Sequence, residues 1–123
     1  MELIDTHCHL TFEPLAEDID SVIARSKGNR VSGWITVGTD PEHNKKAVEL
    51  AGRFDRLHAA IGIHPHYARD VTLDTIRQLK QTAQNEKVVA IGETGFDFYY
   101  DDCPTYKDQK RLFVQHLMLA NIH

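Results

Sequence analysis

Apolar residues along this chain follow two alternating rhythms. Four short runs, Leu3 to Asp5, Val31 through Val37, Leu57 to Ile63 and Val88 to Gly92, have the length and the β-branched or small apolar content of strands. Between and after them, apolar positions recur at three- and four-residue spacing, as on one face of a helix: Leu15, Ile19, Val22 and Ile23; Ala47, Leu50, Ala51 and Phe54; Leu73, Ile76, Leu79 and Ala83; Leu112, Phe113, Leu117 and Ala120. The punctuation agrees with this division. Pro14, followed by Glu17 and Asp18, opens the first helix and Gly28 closes it; Gly38-Thr39-Asp40-Pro41 is a strand-to-helix turn with a cap and a first-turn proline; Thr72 can cap the third helix; the last begins near Pro104. The pattern predicts a βα unit repeated four times, an order that calls for parallel strands and right-handed crossovers.

Each predicted strand carries its polar residues at its carboxyl end: His7 and His9, Thr39 and Asp40, His64 and His66, Glu93 and Asp97. In open α/β sheets and in β/α barrels alike, that is the edge where ligands bind. Side chains alternate along an extended backbone, so His7 and His9 point one way and Cys8 the other. Two neutral imidazoles aimed at one point can hold a divalent cation, and a strand-end pair satisfied by backbone groups is the competing reading. Glu93 follows five small or apolar residues, where a carboxylate is costly to bury unless it is salt-bridged or bound to a metal. Pro65 fixes a turn between His64 and His66, and either histidine could cap or pack there; Asp97 could orient a neighbour through a hydrogen bond. Cys8 reads as buried packing. Trp34, Tyr99, Tyr100 and Tyr106 read as core or rim packing rather than base-stacking platforms.

With 123 residues and 41% hydrophobic content the chain forms one domain, residues 1–123. A formal charge of −4 argues against a broad basic surface, so a phosphate-bearing substrate has to be held locally or by metal. The acidic amino terminus, the lack of a long apolar run and only two cysteines lead to the expectation of a cytoplasmic protein without membrane partners.

Three strand-end motifs, Asp5-Thr6-His7-Cys8-His9-Leu10, Gly62-Ile63-His64-Pro65-His66 and Gly92-Glu93-Thr94-Gly95-Phe96-Asp97-Phe98-Tyr99, together resemble those of the TatD family of metal-dependent deoxyribonucleases. Gln109, Phe113, Leu117, Leu119 and Ala120 resemble the family's helix after the fourth strand. The resemblance implies a (β/α)8 TIM barrel, of which these four units correspond to the N-terminal half, since a whole barrel takes about 250 residues. It implies one or two divalent metal cations (Mg, Mn or Zn), with His7, His9 and Glu93 as ligands, Glu93 able to bridge, and with His64 and Asp97 beside them in substrate or supporting roles. It implies DNA or another phosphodiester as substrate. Metal-dependent hydrolysis of an amide or ester, and an inactive metal-binding or assembly fragment, are the alternatives, because the family's later-strand histidines and water-activating aspartate have no counterpart in these residues. His123 reads as a helix-end residue, and Thr11 stands where many members have Asp. The half-barrel's outer strands, the first and the fourth, are expected to pair, in a homodimer or within a larger chain, and the strand faces towards the missing half are expected to be apolar, at Ile35, Ala60 or Ile61, and Val89 or Ala90.

Overall fold

The alternating pattern folds as expected. In the computed structural model, which describes residues 1–122, β1 (Leu3–Cys8), β2 (Val31–Val37), β3 (Leu57–Ile61) and β4 (Val88–Ile91) alternate with α1 (Ile19–Gly28), α2 (Pro41–Arg53), α3 (Leu73–Thr82) and α4 (Tyr106–Ala120). His123 lies outside the described residues. The strands form one parallel sheet in the order β1-β2-β3-β4, with Trp34 opposite Leu57, Thr36 opposite Ala59 and Ile61 opposite Ile91. An order that never reverses, joined by crossovers of one hand, puts every helix on the same face of the sheet. That is the construction of a barrel wall; a doubly wound sheet needs a reversal point.

Burial agrees with this layering. On β3 and just beyond it, Leu57, Ala59, Ile61 and Ile63 are at most 1% exposed, and they join a core with Ile19 and Ile23 of α1, Leu50 of α2, Leu79 of α3, and Leu112 and Leu119 of α4. Ile61 therefore faces the helices, which leaves Ala60 as the strand's apolar residue on the opposite face. On the outer strands Leu3, Ile4, Val89 and Ala90 are exposed. Among the described residues no helix is long and apolar enough to cross a membrane.

Local chemistry sets the boundaries. Asp40 Oδ1 accepts hydrogen bonds from the backbone N–H groups of Glu42 and His43, at 2.9 and 3.0 Å, and Pro41 occupies the first turn of α2. Thr72 and Thr75 form a reciprocal capping pair at the start of α3. Three expectations need correction. Strand β1 runs on through His7 to Cys8, because β2 continues to pair with it there. The segment after Pro14 makes only a 3-10 turn, Ala16–Asp18, before α1 begins at Ile19. On α4 the buried stripe is Gln109, Leu112, His116 and Leu119, whereas Leu117 and Ala120 are exposed and Phe113 packs half-buried against Phe96. Two polar side chains with backbone partners occupy positions that apolar periodicity alone does not assign to the core.

Candidate metal centre

At the carboxyl end of β1 the chain is held from β2. The Cys8 thiol donates to the Ile35 carbonyl at 3.3 Å, and the Leu10 N–H donates to the buried Thr36 hydroxyl at 3.2 Å. Burial pushes the Cys8 thiol up to about 12, so it stays protonated and packs as a small apolar residue, as its place in the strand suggests. His7 and His9 come together edge to face with ring centroids 5.1 Å apart. His9 Nδ1 lies 3.1 Å from the Val37 carbonyl, an oxygen that can only accept, so the ring proton belongs on Nδ1 and Nε2 presents a free lone pair.

That lone pair points towards β4. His9 Nε2 is 3.6 Å from Glu93 Oε2, too far for a hydrogen bond, and donor atoms of His7, His9 and Glu93 all lie within 4.8 Å of one another. Three donors converge without satisfying each other. A nitrogen–nitrogen–carboxylate set with a backbone carbonyl fixing one imidazole's tautomer suits a divalent cation.

A second group adjoins the first. His64, His66 and Asp97 also bring donor atoms within 4.8 Å of one another, but their hydrogen bonds give them a different character. The His66 backbone N–H donates to His64 Nδ1 at 3.2 Å, which puts the neutral ring's proton on Nε2, the nitrogen 3.9 Å from Asp97 Oδ2. Burial holds the His64 imidazole below its ordinary pKa and so favours this neutral, proton-donating form. The Tyr99 N–H donates to Asp97 Oδ1 at 2.9 Å and helps hold that carboxyl below the usual range, ionised. His66 Nε2 is 3.1 Å from Asp97 Oδ2 but out of line for a hydrogen bond. His9 thus offers a lone pair and His64 a proton.

Of the polar strand-end residues, Asp40 is not part of this arrangement. Its carboxylate caps α2 and lies 2.6 Å from His43 Nδ1, so it is committed to the helix. Thr11 Oγ1 is buried without a hydrogen-bond partner among the described residues. A cleft of about 310 Å³ lined by Leu10, Thr11, Lys46 and Arg53 lies away from the donors, and none of the two groups' residues reaches it.

Buried polar side chains fix the strand ends from the helix side. Asn44 on α2 bonds both backbone groups of Gly62, donating to its carbonyl at 2.8 Å and accepting from its N–H at 3.1 Å. The His64 N–H donates to the Thr39 carbonyl at 2.7 Å, and the Glu93 N–H reaches the Gly38 carbonyl at 3.3 Å. Gln109 accepts from the Asp97 N–H at 2.7 Å and donates to the Asp97 and Pro104 carbonyls at 2.8 and 2.9 Å. Asn44 and His116 had no place in the sequence reading. Their signal was a polar residue sitting on an apolar stripe: Asn44 with Ala47 and Ala51, His116 with Leu112 and Leu119.

The family model described as TatD related DNase matches residues 4–123. A Bacillus subtilis protein named as the uncharacterized metal-dependent hydrolase YabD is 40% identical over 119 residues, which cover 96% of this chain and 46% of that protein. The 3'-5' ssDNA/RNA exonuclease TatD of Enterobacter lignolyticus is 35% identical over 118 residues, 96% of this chain and 45% of its own length. The crystal structure of YjjV, a TatD homolog from Escherichia coli, superposes with a TM-score of 0.89 at 34% identity, covering 96% of this chain and 46% of that one. The chain spans a little under half the length of these relatives.

Proposed function

Because this chain belongs to the TatD related DNase family, we propose that the ends of β1 and β4 hold a divalent cation through His7, His9 and Glu93, in a centre that serves hydrolysis of phosphodiester bonds in DNA. The observation that carries the reading is the convergence of three unsatisfied donors around a His9 ring whose proton is tied to Val37. A cation bound there, whether Mg, Mn or Zn, supplies Lewis acidity towards water and towards a phosphoryl oxygen. His64 directs its Nε2–H at a phosphoryl oxygen and offsets charge that builds there in the transition state. Asp97, ionised and fixed from both sides by Tyr99 and Gln109, keeps His66 and His64 in place. The name of the Enterobacter relative supports nucleic acid as the substrate class.

The test uses the full-length protein with single-stranded DNA and a panel of acylated substrates, with and without chelator, beside His9→Ala and Glu93→Gln. DNA cleavage that is abolished by chelator and reduced at least about tenfold in both variants is expected. Chelator-insensitive cleavage, or variants as active as the parent, would refute the centre. Hydrolysis of acyl substrates without DNA cleavage would move the substrate to the amide or ester class.

A further inference from the structure

His116 sits in the middle of α4, 1% exposed, with no part in the donor groups described above. An imidazole in an apolar core has to be neutral and has to find partners for both ring nitrogens. Here the partners lie on two different strand-end loops. The Ile63 backbone N–H, immediately before His64, donates to Nε2 at 3.0 Å, and Nδ1 lies 2.9 Å from the hydroxyl of Thr94, immediately after Glu93. A backbone N–H can only donate, so Nε2 is the bare nitrogen and Nδ1 carries the proton that Thr94 Oγ1 accepts.

We infer that His116 is a positioning residue, a neutral strut that sets the spacing between the loop bearing His64 and the loop bearing Glu93, and thereby the affinity of the centre for its cation. The inference rests on the proposed centre for its functional consequence and on hydrogen bonds alone for the strut. Three features support it. The ring hydrogen-bonds both segments at once, and each contact is one residue away from a group of the site. Its neighbours in the stripe, Leu112 and Leu119, are both buried, so the ring has no freedom to swing aside. Two turns earlier on the same stripe, Gln109 holds the Asp97 backbone, so α4 supports the site at both levels. Protonation would place a second N–H against that of Ile63, and burial opposes it by drawing the imidazole down to about 4.

The strut needs one acceptor and one donor on one side chain, which an amide also provides. In the full-length protein, His116→Gln should therefore bind Mn2+ within about threefold of the parent in a calorimetric titration, whereas His116→Leu should bind it at least about tenfold more weakly, the size of loss seen when groups supporting metal ligands are removed. Amide hydrogen exchange at Ile63 gives a second readout that needs no metal. It should stay slow in the glutamine variant and accelerate in the leucine variant, with both showing cooperative unfolding by circular dichroism. His116→Leu binding Mn2+ like the parent, or His116→Gln failing as badly as His116→Leu, would overturn the positioning role. If the parent protein binds no Mn2+, the proposed centre falls, and unchanged Ile63 exchange in the leucine variant would then remove the strut as well. If His116→Leu does not fold, the affinity and exchange of His116→Gln still decide.

Discussion

Gly62→Ala is the most exacting probe of how the site is positioned, because every atom the new methyl would meet is backbone. A Cβ there would lie 2.6 Å from the Gly92 carbonyl carbon, 2.7 Å from the Glu93 carbonyl oxygen and 2.9 Å from the Glu93 nitrogen. Ordinary contact between carbon atoms needs about 3.5 Å, so the ends of β3 and β4 have to part by roughly 0.9 Å. Gly62 cannot simply retreat, since Asn44 holds both its N–H and its carbonyl from the other side. The displacement therefore falls on Glu93, one of the three proposed ligands. Overpacking of this kind costs about 1–3 kcal/mol of stability. A shift near 1 Å at a reacting centre costs on the order of 100-fold in turnover. Urea unfolding, Mn2+ titration and single-stranded DNA cleavage by the full-length protein read the three consequences separately. Gly28→Ala, at the end of α1 with nothing within 4 Å of its added methyl, is the control and should be neutral or slightly stabilising. Parental stability together with parental Mn2+ affinity in Gly62→Ala would show that the two strand ends do not approach as described.

Replacing Asp40 by Ala removes the cap of α2, and a loss of about 0.5–2 kcal/mol in chemical denaturation is expected, with cleavage activity retained because Asp40 serves the helix and not the site. His116 makes stability depend on pH. Its folded pKa of about 4 lies below the ordinary 6.5, so the unfolded chain binds the extra proton; the contribution is complete above about pH 6.5 and is lost as pH falls towards 4, at most about 3 kcal/mol. The difference in unfolding free energy between pH 7 and pH 4.5 should shrink by most of that amount in His116→Gln, and an unchanged difference would exclude the buried neutral ring. The exposed outer strands, with Leu3 and Ile4 on β1 and Val89 on β4, should make residues 1–123 associate when produced alone, and light scattering that shows a folded monomer at high concentration would contradict this.

The sequence by itself determined the elements and the chemistry at their ends. Apolar runs of strand length, stripes at helical spacing and turn residues between them leave little choice in the backbone, which is why β2 and the caps at Asp40 and Thr72 lie where the pattern puts them. Placing polar residues at every strand's carboxyl end also brought His7, His9, Glu93, His64 and Asp97 to one edge, because parallel strands must present those ends together. What only the tertiary structure decided is the character of each group. His9 and His64 are the same residue type after similar strands, yet a carbonyl of β2 makes one ring offer its lone pair, and the next turn's N–H makes the other keep its proton. Likewise Asp40 went to a helix cap, and Asn44, Gln109 and His116 became buried supports. A side chain's hydrogen-bond role is set by the partner that folding brings within about 3 Å of it, and for His9, Asn44 and His116 that partner is 18 or more residues away in the chain.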